Sequence, residues 1–223
     1  MPLTLAQVKK DPYLYQFIEA SERYISKLGF TEHGFRHVNL VSDIARNVAE
    51  RVGFSKHKQE LAAIGGYLHD IGNFIGRTQH EYWGVFIAYP RLIELSATPK
   101  EIEVISNVIS SHEKRGSKIF SKVAAVVVLA DKSDVHRSRV EEDINIVELT
   151  EDIHNRVNYA VTDSFLEVNI RRERITLKLK IDTNAISVME YFEIFTERMV
   201  YCREAAKFLG YRFGLVINKT RLL

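Results

Sequence analysis

His37, His69, Asp70, His112 and Asp131 are the residues of this chain whose types and placement can serve one chemistry. His69 and Asp70 stand side by side in "YLHDIGNF" (67–74), at the end of an apolar stretch. Two ionisable groups there cost desolvation unless something pairs with them, and a metal ion is one partner that would. His37 lies one helical turn before Val41 and continues its apolar stripe, as His112 continues Ile105 and Ile109. Asp131 closes the most apolar run in the chain, "VAAVVVLA" (123–130). A single buried His is as well explained by a hydrogen-bonded core residue, but five inward-facing groups on four helices are harder to explain that way. Imidazole nitrogen and carboxylate oxygen are donors that Mn, Fe, Co, Ni or Zn accept. Asp70, with two carboxylate oxygens, is able to bridge two ions, and the partial negative charge of a helix's last turn favours a cation there.

The elements that must position these groups are helices up to about residue 145. Val41, Ile44, Val48 and Val52 form one helical stripe, and Leu61, Ile64, Leu68 and Ile71 another, which Gly72 is placed to end in a left-handed cap. Thr98-x-x-Glu101 is a capping box with Pro99 at the first helical position; its stripe is Ile102, Ile105 and Ile109, ending near Gly116. The run 123–130 fits a buried strand or a buried helix, and its helical neighbours favour a central helix. The tail differs. Leu166, Val168 and Ile170 alternate, then Ile175, Leu177, Leu179 and Ile181, with "RRER" between them as a hairpin turn. Ser187-x-x-Glu190 opens a long helix carrying Val188, Phe192, Phe195, Met199, Cys202 and Ala206; Gly210 ends it, and "YRFGLVINK" reads as a third strand. The expected fold is mainly α: a helical bundle over 1–145 and a small ββαβ (α+β) accessory unit over 146–223, joined through a short helix in "LTEDIHNRVNYAV".

Composition narrows the function classes. The 223 residues, 46% hydrophobic and 27% charged, are enough for a globular core. A net charge of +2 gives no whole-chain argument for nucleic acid. The single cysteine, Cys202, permits neither an internal disulfide nor a Cys-based zinc cluster. No signal-like start and no run near the roughly 18 apolar residues of a membrane span is present, so a cytoplasmic protein is expected.

The ordered set His37, His69-Asp70, His80, His112, Asp131, carried by "HGFRHVNLV", "YLHDIGN", "QHEYWGV", "ISSHE" and "LADKSD", resembles the HD-superfamily metal-dependent phosphohydrolases over roughly residues 30–140. The resemblance implies a helical bundle with a central metal site. Carried onto this chain, it makes His37, His69, Asp70 and Asp131 ligands of one ion, and Asp70, His80 and His112 ligands of a second. One or two divalent ions are expected (Mn, Fe, Co, Ni or Zn, or Mg). His80 has a secondary reading as a helix-start residue or a substrate contact. The Gly-Tyr-Pro motif of the cyclic-di-GMP phosphodiesterases and the Glu-Asp pair of guanosine-tetraphosphate hydrolases are absent. The ligand series is more like that of small hydrolases of dinucleoside polyphosphates, although Asn73 stands where Lys or Arg is common in them.

The activity this implies is hydrolysis of a phosphomonoester, phosphodiester or phosphoanhydride bond in a small nucleotide-like substrate by a metal-activated hydroxide. Asp70 and Lys132 are the expected catalytic residues, Lys132 as the cation facing the charge that builds on phosphoryl oxygens. His33, one turn before His37, and Arg137 and Arg139 are expected at substrate; Arg77, Lys114 and Arg115 are weaker candidates, with a solvated surface charge as the alternative for each Arg and Lys. His57 and His154 sit among polar neighbours and read as surface, and His136 follows the Asp131 segment. Two other readings remain: a regulatory module that senses metal or nucleotide, and a nucleic-acid-processing hydrolase, suggested by the basic hairpin with Arg171, Arg172, Arg174, Lys178 and Lys180. An exposed edge strand in the C-terminal unit can pair with another chain, so a homo-oligomer is a further expectation.

Overall fold

The continuous apolar run at 123–130 is a helix, and the bundle is built around it. A computed structural model describes residues 2–113, 118–140 and 152–223. Helix α7 (Lys122–Ser133) starts where the Ser121 hydroxyl accepts from the Ala124 N–H, and its residues from Val123 to Ser133 are all buried. A helix apolar on every side belongs in the middle of a core. Around it lie α3 (Phe35–Arg51), α4 (Lys56–Leu68) and α6 (Pro99–Ser111), with α1 (Leu5–Lys10), α2 (Pro12–Lys27) and α5 (His80–Glu94) outside them. Two 3-10 turns, Ile71–Phe74 and Arg137–Arg139, follow α4 and α7.

Close packing sets the spacing of this frame. A Cβ at Gly66 would stand 3.0 Å from the Ser42 Cα, so glycine lets α4 approach the backbone of α3. Gly72 has a related duty and not the one expected of it. Its φ is not positive, so it is no left-handed cap. A Cβ there would instead fall 2.0 Å from the His80 carbonyl oxygen, because the turn after α4 presses directly on the start of α5. Helix α6 also stops earlier than the stripe suggested, at Ser111; residues around the expected end at Gly116 lie outside the described residues.

The tail forms α8 (Ile153–Ala160), the hairpin β1 (Val161–Asn169) and β2 (Arg174–Ile181), the long α9 (Val188–Leu209), β3 (Arg212–Ile217) and β4 (Thr220–Arg221). The sheet order is β1-β2-β3-β4; β2 and β3 are parallel, joined by the α9 crossover, and the other pairs are antiparallel. Both capping-box bonds of Ser187 and Glu190 are made, and Gly210 closes α9 at φ +90°. Helix α9 buries Tyr191 and Tyr201 beyond the expected stripe because it lies between the sheet and α7. The expected division at 145/146 lies outside the described residues, and one contiguous hydrophobic core runs from Leu3 to Ile217 through both parts. No helix among the described residues is long and apolar enough to cross a membrane.

Candidate metal centre

Helix ends deliver the polar groups. His37 lies in the first turn of α3, His69 and Asp70 directly follow α4, His80 opens α5, His112 directly follows α6, and Asp131 is in the last turn of α7. All six side chains are buried. Three of the helices point their carbonyl ends at this spot, which makes it attractive to a cation.

Each histidine is held by its Nδ1, which leaves Nε2 turned inward. His37 Nδ1 donates to Asp134 Oδ2 (2.6 Å), His69 Nδ1 to the Gly66 carbonyl (2.8 Å), His80 Nδ1 to the Arg77 carbonyl (3.0 Å) and His112 Nδ1 to the Ile109 carbonyl (2.7 Å). This is how metal-binding imidazoles are fixed in tautomer and orientation. The Nε2 atoms then converge. His37 and His69 Nε2 are 3.2 Å apart, and His80 and His112 Nε2 are 2.9 Å apart. Asp70 bridges the two pairs: its Oδ2 is 3.3 Å from His69 Nε2, and its Oδ1 is 3.1 Å from His80 Nε2 and 3.4 Å from His112 Nε2. Asp131 Oδ1 stands 3.4 Å from His37 Nε2 and 3.6 Å from His69 Nε2.

The ligand atoms thus fall into two groups that share Asp70: His37, His69, Asp70, and Asp70, His80, His112. With Nδ1 committed as donor, a neutral imidazole presents a lone pair at Nε2, and facing lone pairs at these distances repel unless a positive charge lies between them. The residues therefore fit divalent ions, and the N/O donor set is that of a transition-metal site. The electrostatics of the cluster agree. Burial opposes a proton on His69, yet Asp70 and Asp131 outweigh it and raise its pKa to about 10. Burial likewise opposes ionisation of Asp70 and Asp131, but their cationic neighbours hold both well below the carboxylate range. The centre demands positive charge, and a proton is the smallest way to supply it.

A cleft of about 610 Å³ opens beside this centre. His80 and Lys132 are in its wall, together with Arg77, His33 and Glu113 from the helical part and Arg198, Tyr201 and His154 from α8 and α9. Lys132 Nζ lies 2.7 Å from Asp131 Oδ2 and 3.1 Å from Glu113 Oε1. Burial works against its charge, but those two carboxylates raise its pKa and keep it an ammonium. Arg77 Nη1 reaches His80 Nε2 at 3.2 Å and Asp70 Oδ1 at 3.8 Å, so it belongs to the site more closely than its sequence context suggested. His33 is buried at the cleft, its Nδ1 bonded to the Thr31 carbonyl, and burial followed by Arg139 keeps it neutral.

Arg137 and Arg139, expected at a phosphate, stand elsewhere. Arg139 is buried and spends its donors on carbonyls, Nη1 to Asp134 (3.0 Å), Nη2 and Nε to Glu32 (2.8 and 3.2 Å). Arg137 is exposed, over the Tyr159 ring at 5.4 Å. Sequence spacing placed both just after the Asp131 helix; the turn that follows aims them away from the cleft. His136 bonds Ser138 and the Thr162 carbonyl, and His57 lies 3.6 Å from Glu101. His154 is exposed, as its neighbours suggested, but on the rim of the cleft. Lys114 and Arg115 lie outside the described residues. Four residues were missed. Asp134, in the quoted "LADKSD", anchors His37 and is itself held by Arg36 Nη2 at 2.7 Å. Glu113 directly follows His112. Arg198 and Tyr201 needed the fold, although a cation in an apolar helical row was a signal for Arg198.

The family model for the HD domain matches residues 34–135, the span that carries all six His and Asp groups. Over that span the chain is similar to the HD domain, whose superfamily comprises metal-dependent hydrolases, and the observed His/Asp cluster fits a metal-binding site of that kind. No curated protein matches the chain.

Proposed function

We propose that the protein is a metal-dependent phosphohydrolase acting on a phosphomonoester, phosphodiester or phosphoanhydride bond of a small nucleotide-like molecule. What carries this is the pair of ligand groups sharing Asp70 beside a cleft walled by Lys132 and Arg77. A cleft of about 610 Å³ is the size that a small ligand fills. His37, His69, Asp70 and Asp131 would hold one divalent ion, and Asp70, His80 and His112 a second. Bound there, such ions act as Lewis acids toward phosphoryl oxygens and make water acidic enough to be a nucleophile near neutral pH.

The chain's own groups do the rest. Lys132, fixed by two carboxylates, keeps a preorganised ammonium for the negative charge that grows on the phosphoryl oxygens. Arg77, anchored to Asn73 Oδ1 at 3.2 Å, presents a planar guanidinium to the same region. Neutral His33 offers a ring nitrogen to a substrate hydroxyl. Lys132 and His33 are themselves buried, so their interactions with a phosphoryl group would be less screened than those of surface charges.

Elemental analysis of protein purified without chelator, followed by a nucleotide screen, tests the reading. Bound transition metal that is lost in a His69→Ala, Asp70→Ala variant, together with release of phosphate, is the expected result. Lys132→Ala should retain metal and lose about 10²-fold in kcat, the scale of a removed transition-state charge partner. No bound ion after reconstitution with Mn, Fe, Co, Ni or Zn would sink the hydrolase and leave a binding module.

A further inference from the structure

Arg198 is a cation in the wrong row. On α9 it falls in register with Tyr191, Phe195 and Cys202, which are buried. A guanidinium cannot shed its proton at ordinary pH, so it must be compensated or exposed. Among the described residues Arg198 forms no ion pair, and its Cζ lies 4.7 Å from the centre of the Phe195 ring. The carboxylate that acts on it most strongly, Glu113, is already engaged by Lys132 at 3.1 Å and faces Arg77 at 3.6 Å. Burial lowers the Arg198 pKa, and Arg139 and Arg77 lower it further. It therefore sits in a field set partly by other cations.

The cleft is where this charge opens. Of the other acids in its wall among the described residues, Glu81 lies 3.4 Å from His80 Nδ1, Asp152 caps α8 through the His154 and Asn155 N–H groups, and Glu197 is exposed to solvent and forms no ion pair with Arg198. Lys132 and Arg77 serve the metal end. Arg198 comes from the opposite side in sequence, on the crossover helix of the C-terminal sheet.

We propose that Arg198 binds a second anionic group of the substrate, so that the substrate class is a small molecule with at least two phosphoryl groups, one over the His/Asp centre and one against α9. This deepens the phosphohydrolase reading and rests on its placement of the first phosphoryl group. The guanidinium fork suits two phosphate oxygens at once. It also gives the C-terminal unit a role in selectivity, since without α9 the cleft would lose the wall that tells a polyphosphate from a monophosphate.

Calorimetric binding of orthophosphate, pyrophosphate and adenosine 5′-triphosphate to the metal-loaded protein is the test, with Arg198→Gln and Arg198→Lys variants. Wild-type protein should bind at least one polyphosphate tenfold or more tighter than orthophosphate. Arg198→Gln should remove about tenfold of that preference and leave orthophosphate unchanged, and Arg198→Lys should restore part. The Arg198→Gln protein should melt within about 2 °C of wild type, since among the described residues this half-buried cation forms no ion pair and only a ring contact with Phe195 is lost. Equal loss for all three ligands, a Tm drop of several degrees, or no polyphosphate preference in the wild type would each overturn the proposal. Polyphosphate bound through Arg198 but never hydrolysed would instead remove the hydrolase reading and leave this site standing.

Discussion

Gly72→Ala tests how the site is assembled without touching a ligand. The added Cβ would stand 2.0 Å from the His80 carbonyl oxygen and 2.5 Å from the Gly84 N–H nitrogen. Real Cβ atoms do not come closer than about 3.0 Å to such neighbours, so the two backbones must part by about 1 Å. Both obstacles are main chain, which cannot swing aside as a side chain would. Overpacking of this kind costs about 1–3 kcal/mol, and backbone against backbone belongs at the upper end. For a chain of this size 1 kcal/mol moves Tm by about 2–4 °C, so a fall of about 6–12 °C is expected. The same shift carries His80 away from Asp70, now 3.1 Å distant, whereas metal–ligand distances tolerate only about 0.2 Å. The variant should therefore lose the ion of the Asp70, His80, His112 group and keep the other. Circular-dichroism melting and elemental analysis read both effects. Gly76→Ala is the control, because its Cβ would meet only the Tyr24 hydroxyl at 4.0 Å. A Gly72→Ala protein with Tm within about 2 °C of wild type and unchanged metal content would refute this account of the turn.

Other outcomes follow from the same structure. Adding Mn²⁺ to chelator-treated protein at 100 times its Kd should stabilise by about 2.7 kcal/mol, and Asp70→Asn should abolish most of the Tm rise seen by thermal shift. Asp134→Asn removes the charge that receives the His37 Nδ1–H at 2.6 Å, and metal affinity measured by competition with a chelator should fall about 10–100-fold. Asp11 caps α2 and pairs with Arg91 at 2.6 Å; burial opposes its ionisation, but Arg91 and the Leu14 and Tyr13 N–H groups lower its pKa. A carboxyl with a lowered folded pKa contributes above its unfolded value of 3.8 and loses that contribution as pH falls below it. The Tm gap between wild type and Asp11→Asn should accordingly be full at pH 6 and narrow below pH 4; a gap independent of pH would show that only the cap geometry matters.

Much of the architecture was legible because its signals are local. The Thr98 and Ser187 capping boxes, Gly210 and the alternating hairpin strands are short-range facts of the backbone, and the structure contains each of them. The apolar row with His37 and His112 on it required only helical periodicity, since a helix packed on a core must turn that row inward. Contacts between distant segments were not legible. Gly72 looked like a cap because sequence shows only its neighbours, whereas its small size serves a contact with the start of α5. Arg139 looked like a phosphate clamp until the Glu32 and Asp134 carbonyls met it.

The sequence alone determined which groups exist to bind a metal, and on which helices they ride, because a buried His or Asp must find a partner wherever the chain folds. Only the tertiary structure decided that Asp70 stands between two pairs of imidazoles and that α9, far along the chain, closes the cleft beside them with Arg198. Periodicity fixes the face a side chain takes on its own helix. The ångström-scale separation of two faces depends on how tightly their backbones pack, and no local pattern encodes that.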